Sequence, residues 1–185
     1  MKIILISLII WFQAVDNLLD KGYEQYDQGE FTEAVKSFNT AIEIDPNNAE
    51  SYFLRAMSYQ GMALSKLAVA DLEKAIVLKT DYAEAFQQLG YIYLVGQAPV
   101  LAIEAFDKAI LLTPKVAELY INRGSAQCML GHLEKAAQDY QKAQKMGISY
   151  AAYMNCDQWS HYFKHLNWKI SLNLRFKLAE NIDFQ

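Results

Sequence analysis

The sequence predicts an all-α protein, a stack of four helical hairpins followed by a capping helix. Three observations predict it. Alanine recurs on a period of 34 residues. Apolar residues within each period fall at i, i+3, i+4 and i+7, the pattern of an amphipathic helix. Helix breakers are scarce, with 8 Gly and 3 Pro in 185 residues, and good helix formers dominate from 15 to 150.

The chain opens with MKIILISLIIWFQA, in which Lys2 precedes an apolar run from Ile3 to Phe12 broken by Ser7, and Ala14 follows. That is the layout of a secretory signal peptide. It predicts an exported protein, periplasmic or secreted, from which 1–14 are removed. The run is too short to span a bilayer as a helix, which needs roughly 20 apolar residues. No stable membrane span is expected. The alternative is a cytoplasmic protein whose fold begins with this apolar helix.

The hairpins follow over 15–48, 49–82, 83–116 and 117–150. Their second halves carry Ala34, Phe38, Ala41 and Pro46, then Ala68, Leu72, Ala75 and Thr80. The next two sets are Ala102, Phe106, Ala109 and Pro114, then Ala136, Tyr140, Ala143 and Ile148. Their first halves share Gly22, Ala56, Gly90 and Gly124 in one slot, and Leu18, Tyr52, Phe86 and Tyr120 in another. Small residues on both helices let antiparallel backbones approach, and the large residue fills the groove left between them. Gly29, Gly61, Gly96 and Gly131 fall between the halves, where a helix must end and turn. Pro46 and Pro114 close second helices, because Pro cannot continue one. One hairpin cannot bury its apolar face alone, so the units must stack.

Beyond Tyr150 the period is lost. Trp159, Phe163, Leu166 and Ile170 share one helical face, which predicts a capping helix over 151–168. In the tail, 169–185, residues Ile170, Leu172, Leu174, Phe176 and Leu178 alternate with polar ones, a strand-like period that invites edge pairing and self-association. His161 and His165 lie four apart, yet without the Glu of the metalloprotease motif, and no metal site is assigned to them. Cys128 and Cys156 are read as semi-buried thiols acting as small hydrophobes, or as a disulfide if the fold brings their backbones close.

Composition narrows the function. At 53% hydrophobic and 21% charged the chain can bury a core and stay in solution. Its net charge of −4 and lack of a basic stripe argue against nucleic acid. No phosphate-binding Gly loop, nucleophile elbow or paired-acid site occurs, so neither catalysis nor a cofactor is expected. His132, beside Gly131 in a turn, is expected to face solvent.

These residues resemble the tetratricopeptide repeat family. Its signature is an aromatic, Leu-Gly and Tyr, then Ala, an aromatic, Ala and Pro, on a period of 34. The third unit matches most fully, with Phe86, Leu89, Gly90, Tyr93, Ala102, Phe106, Ala109 and Pro114. Lys21, Arg55 and Arg123 depart from it where Leu is usual, and Thr80 and Ile148 where Pro is usual. The resemblance implies a right-handed α-solenoid and a non-enzymatic scaffold that holds a peptide or partner helix in its concave groove.

The first helices of such repeats line the groove. Carried over, those slots hold Leu19, Tyr23 and Tyr26, then Phe53, Met57 and Gln60. The later units supply Gln87, Gln88, Tyr91 and Leu94, then Ile121, Asn122, Ser125 and Cys128. Some family members grip the C-terminal carboxylate of chaperones with cations in the groove. Here Leu19, Tyr23, Leu54, Glu84 and Gln88 occupy those positions, so no such partner is expected. Glu50, Glu84 and Glu118 start units two to four, where acid complements a helix N-terminus.

Overall fold

The computed structural model describes residues 2–148 and Cys156. The described residues form eight helices and no strand. Helix α1 runs Lys2–Asp27, α2 Phe31–Ile44, α3 Ala49–Gly61, α4 Ser65–Leu78, α5 Ala83–Val95, α6 Pro99–Leu112, α7 Ala117–Met129 and α8 Leu133–Lys145. Helices α3, α5 and α7 start on a 34-residue spacing, and so do α2, α4, α6 and α8. The apolar run at the N-terminus is continuous with α1. No helix among the described residues is long and apolar enough to cross a membrane.

The chain divides into two compact units, Met1–Thr80 and Asp81–Gln185. In the first, α1 pairs with α2 and α3 with α4, while α3 also packs on α2 and α1. The second repeats this with α5 on α6, α7 on α8, and α7 against α6 and α5.

Steric complementarity between small and large slots builds each core. A Cβ at Gly90 would stand 2.7 Å from the Phe106 ring, and one at Gly124 would stand 2.8 Å from the Tyr140 ring. Gly22 meets Phe38 in the same way. The second hairpin reaches the same fit differently, with Ala56 in the small slot and the shorter Leu72 in the large one. Phe38, Leu72, Phe106 and all eight paired alanines are fully buried. Interior packing is dense enough that one methyl must be matched by another's removal.

The turns correct one reading of the glycines. Backbone of positive φ occurs at Gly29, Ala63, Gln97 and Gly131, again 34 apart. Each is the left-handed residue of a Schellman turn: Glu30, Leu64, Ala98 and His132 donate their N–H to Gln25, Tyr59, Tyr93 and Gln127 carbonyls at 2.8–2.9 Å. Gly61 and Gly96 are not turn residues of this kind. Gly61 instead leaves room for the Phe31 ring, whose Cε1 lies 2.5 Å from where a Cβ would sit.

Second helices α2 and α4 end on extended residues, Asp45 and Lys79, and α6 ends on Thr113; their N–H groups reach Ala41, Ala75 and Ala109 carbonyls at 2.8 Å. Thr80 replaces Pro without changing that geometry. Helix α8 ends differently, on Met146 and a left-handed Gly147 with φ 96°. The capping helix expected over 151–168 and the tail over 169–185 lie outside the described residues, Cys156 apart, as do His161 and His165.

Candidate functional site

The slot shared by Tyr23, Met57, Tyr91 and Ser125 tests the proposed groove most directly. Tyr23 is 57% exposed and Tyr91 50% exposed, and Met57 is half-buried. Tyr26 is half-buried beside Tyr23, with ring centroids 6.4 Å apart, and meets Phe31 at 5.5 Å on its other side. Phe53, Gln60, Gln87, Gln88, Ile121 and Asn122 are all half-buried.

Three carried-over residues belong to the core instead. Leu19 packs with Val15, Ala34, Phe38 and Ala41 and is 7% exposed. Leu94 is 4% exposed. Ser125 is fully buried, its Oγ donating to the Ile121 carbonyl at 2.8 Å. Neighbouring helices cover these positions, which family spacing alone does not reveal.

The structure gives a reason for two of the departures from the family pattern. Arg55 donates from Nε and Nη2 to both carboxylate oxygens of Asp71 at 2.7 Å, and from Nη1 to Asn39 Oδ1 at 2.7 Å. Arg123 does the same with Asp139, at 2.8 and 2.6 Å, and reaches Asp107 at 2.5 Å. Each guanidinium therefore ties its own first helix to its own second helix and to the second helix before. Arg55 also lies 5.5 Å from the Tyr52 ring and 5.9 Å from Tyr59, and Arg123 lies 5.7 Å from Tyr120. Hydrogen bonds donated to Asp71 and Asp139 raise the pKa of each arginine above its ordinary value, burial opposing. The sequence signal was an Arg in the usual Leu slot with Asp 16 residues on. Lys21, the third departure, is exposed and carries no such pair.

Repeat four holds further polar chemistry. Buried Gln127 donates Nε2 to Asp139 at 3.2 Å, while its Oε1 finds no donor among the described residues. In repeat one the equivalent Gln25 accepts from Ser37 at 2.7 Å. Tyr140 stands where other repeats place Phe or Leu, its hydroxyl 3.5 Å from both Ser125 Oγ and Cys128 Sγ. Burial raises the Tyr140 pKa. Cys128 and Cys156 form a disulfide, with Cα atoms 5.1 Å apart. His132 is exposed.

Comparison with known proteins decides the family. Models described as "TPR repeat" and "Tetratricopeptide repeat" match 22–62, 49–82 and 99–151. The chain is a tetratricopeptide repeat protein. As such it is an all-α solenoid of helical hairpins, of a kind that takes part in protein–protein interaction. It is 32% identical over 104 residues to DnaJ homolog subfamily C member 3 of Mus musculus, covering 56% of this chain and 21% of that one. The repeat protein thus spans about a fifth of the length of the curated relatives it matches. Among solved structures it resembles MamA, with TM-score 0.69 and 29% identity over 75% of this chain and 81% of the other. It also shares its fold with YrrB, titled "a TPR protein with an unusual peptide-binding site", at TM-score 0.69 and 19% identity, covering 92% and 91%.

Proposed function

We propose that this protein is a non-enzymatic scaffold that binds an extended peptide or a partner helix on the faces of its first helices. Tyr23, Tyr26, Phe53 and Met57 supply the contact in the first unit, and Gln87, Gln88, Tyr91 and Asn122 in the second. The observation that carries this reading is the exposure of Tyr23 and Tyr91, at 57% and 50%, in one repeat slot. Rigid amphipathic rings left half in water are a common anchor for protein partners. The amides beside them can pair with an extended backbone. The partner in this reading is not a chaperone C-terminal carboxylate, because the slots such a clamp needs carry no cation. Nucleic acid is not part of it either. The protein works in an oxidising, exported compartment, a reading supported by the apolar N-terminal run and the disulfide.

The test is paired affinity capture from the native host, followed by titration of what is captured. One bait is the full chain, and the other carries Tyr23→Ala, Met57→Ala and Tyr91→Ala, with helicity checked by circular dichroism. The expected outcome is one partner held by the first bait and bound at least tenfold more weakly by the second. Equal binding by both would move the interaction away from these faces.

A further inference from the structure

We propose that the outer face of α6 is the surface through which two copies of this chain pair, their α6 helices lying antiparallel about a two-fold axis. The face is apolar at both ends and open to water. Leu111 is 77% exposed and Val100 55%, and Leu101 and Leu112 are exposed beside them. Exposed Glu104 and Lys108 stand between the two ends. Positions 101, 104, 108 and 111 recur at intervals of three, four and three, the stripe along which one helix packs beside another. Leucines at both ends of one stripe form a patch rather than scattered single exposures.

The order of residues along the stripe selects the occupant. When a second α6 is turned end for end about the level of residue 106, Leu101 of one copy meets Leu111 of the other, and Val100 meets Leu112. Glu104 meets Lys108, and the axis makes that pair twice. Neither charge has an ion-pair partner among the described residues. Apolar side chains thus close both ends of the contact, and two opposite-charge pairs fix its register and direction. A parallel pairing in register would instead set each charge against its own copy.

The same operation fails on the other second helices. On α2 it sets Glu33 against Glu43, and on α8 Lys135 against Lys145, which repel. On α4 it joins Leu67 to Val77 but leaves Ala70 opposite Lys74, without a charge pair. Among the second helices, α6 alone combines apolar ends with a self-complementary middle. The residues proposed above to hold a peptide all lie on first helices, so the two surfaces are separate. A single helix pair is smaller than the roughly 1,600 Å² of a standard interface, so the dimer is expected to be weak and to form as concentration rises.

The test is sedimentation velocity of the full chain over a range of concentrations, with the fold of each variant checked by circular dichroism. The natural sequence is expected to shift from monomer towards dimer. Glu104→Lys alone and Lys108→Glu alone each set like charges together twice across the axis, and each is expected to weaken the dimer at least tenfold. Mixing these two single variants recreates both opposite-charge pairs and is expected to restore association, as a heterodimer. The variant carrying both substitutions is expected to pair with itself. Leu111→Ser, at an exposed site and without a change of charge, is also expected to weaken the dimer at least tenfold. The proposal is overturned if the chain stays monomeric up to about 1 mM. It is equally overturned if either single charge variant associates as before, or if their mixture associates no more strongly than each alone.

Discussion

Gly90 and Ala56 occupy one repeat slot, and Phe106 and Leu72 face them from another. The pairs Gly–Phe and Ala–Leu are two solutions to one packing problem. Gly90→Ala alone is expected to cost about 1–3 kcal/mol, because the new methyl overlaps the Phe106 ring. Adding Phe106→Leu recreates the pair of repeat two and is expected to recover most of that loss in urea denaturation. A double variant no better than the single would mean that the slots are not coupled. The same logic applies to Arg123 and Asp139. Repeat three carries Leu89 and Ala105 in their places, 8% and 5% exposed. Arg123→Leu leaves Asp139, 4% exposed, without its ion-pair partner, and should cost about 2–3 kcal/mol. Arg123→Leu with Asp139→Ala should restore most of it, since an apolar pair of this shape already serves repeat three.

At the scale of the element, helix ends are the informative feature. Ala63 and Gln97 adopt φ of 59° and 60° where repeats one and four use glycine. Left-handed backbone strains a residue with a Cβ by roughly 1–2 kcal/mol. Glycine loses more chain entropy on folding, by about 0.5–1 kcal/mol. Ala63→Gly is therefore expected to raise stability by about 0.5–1 kcal/mol, read as a higher denaturation midpoint at an unchanged m-value. A loss on this substitution would contradict the strain argument. These turns also mark how far the sequence could be read. The hairpin pattern was legible because Ala, Gly and Phe report a steric fit between helices at fixed spacing. The turn residue was not, since Gly61 and Gly96 lie near the turn while the strained positions carry Ala and Gln. Arg55 and Arg123 looked like simple departures, because their carboxylates sit on another helix 16 residues away. Among the candidate binding residues, Tyr23 and Tyr91 are exposed, as a surface role requires. Leu19 and Ser125 are buried, which spacing alone does not reveal, because burial there depends on which neighbouring helix covers the face.

Across the molecule, the contacts within each unit join helices close in sequence. A hairpin closes within one repeat, and within each unit the first helix of one repeat meets the first helix of the next. Local topology of this kind folds quickly, on a scale of microseconds to milliseconds. Refolding followed by stopped-flow circular dichroism, with the disulfide kept intact, is expected to finish its main phase within milliseconds. A main phase lasting seconds would mean that distant segments must meet first. Such an array is a sum of similar parts, so single substitutions are felt mostly by neighbours. That is why the residue-scale predictions are framed within one unit.

The left-handed residues at 29, 63, 97 and 131 also have a meaning for how such a chain can change length. Each is a seam at which the backbone returns to the same local conformation. A segment cut at any two seams can be removed or duplicated, and the ends rejoin in the same rotational phase. Excising the two periods between 63 and 131 sets Arg55 opposite Asp139 and keeps an arginine–carboxylate pair, whereas excising the one between 63 and 97 sets Arg55 opposite Ala105. The natural currency of insertion and deletion in this protein is thus the seam-to-seam segment, and its least disruptive denomination is a pair.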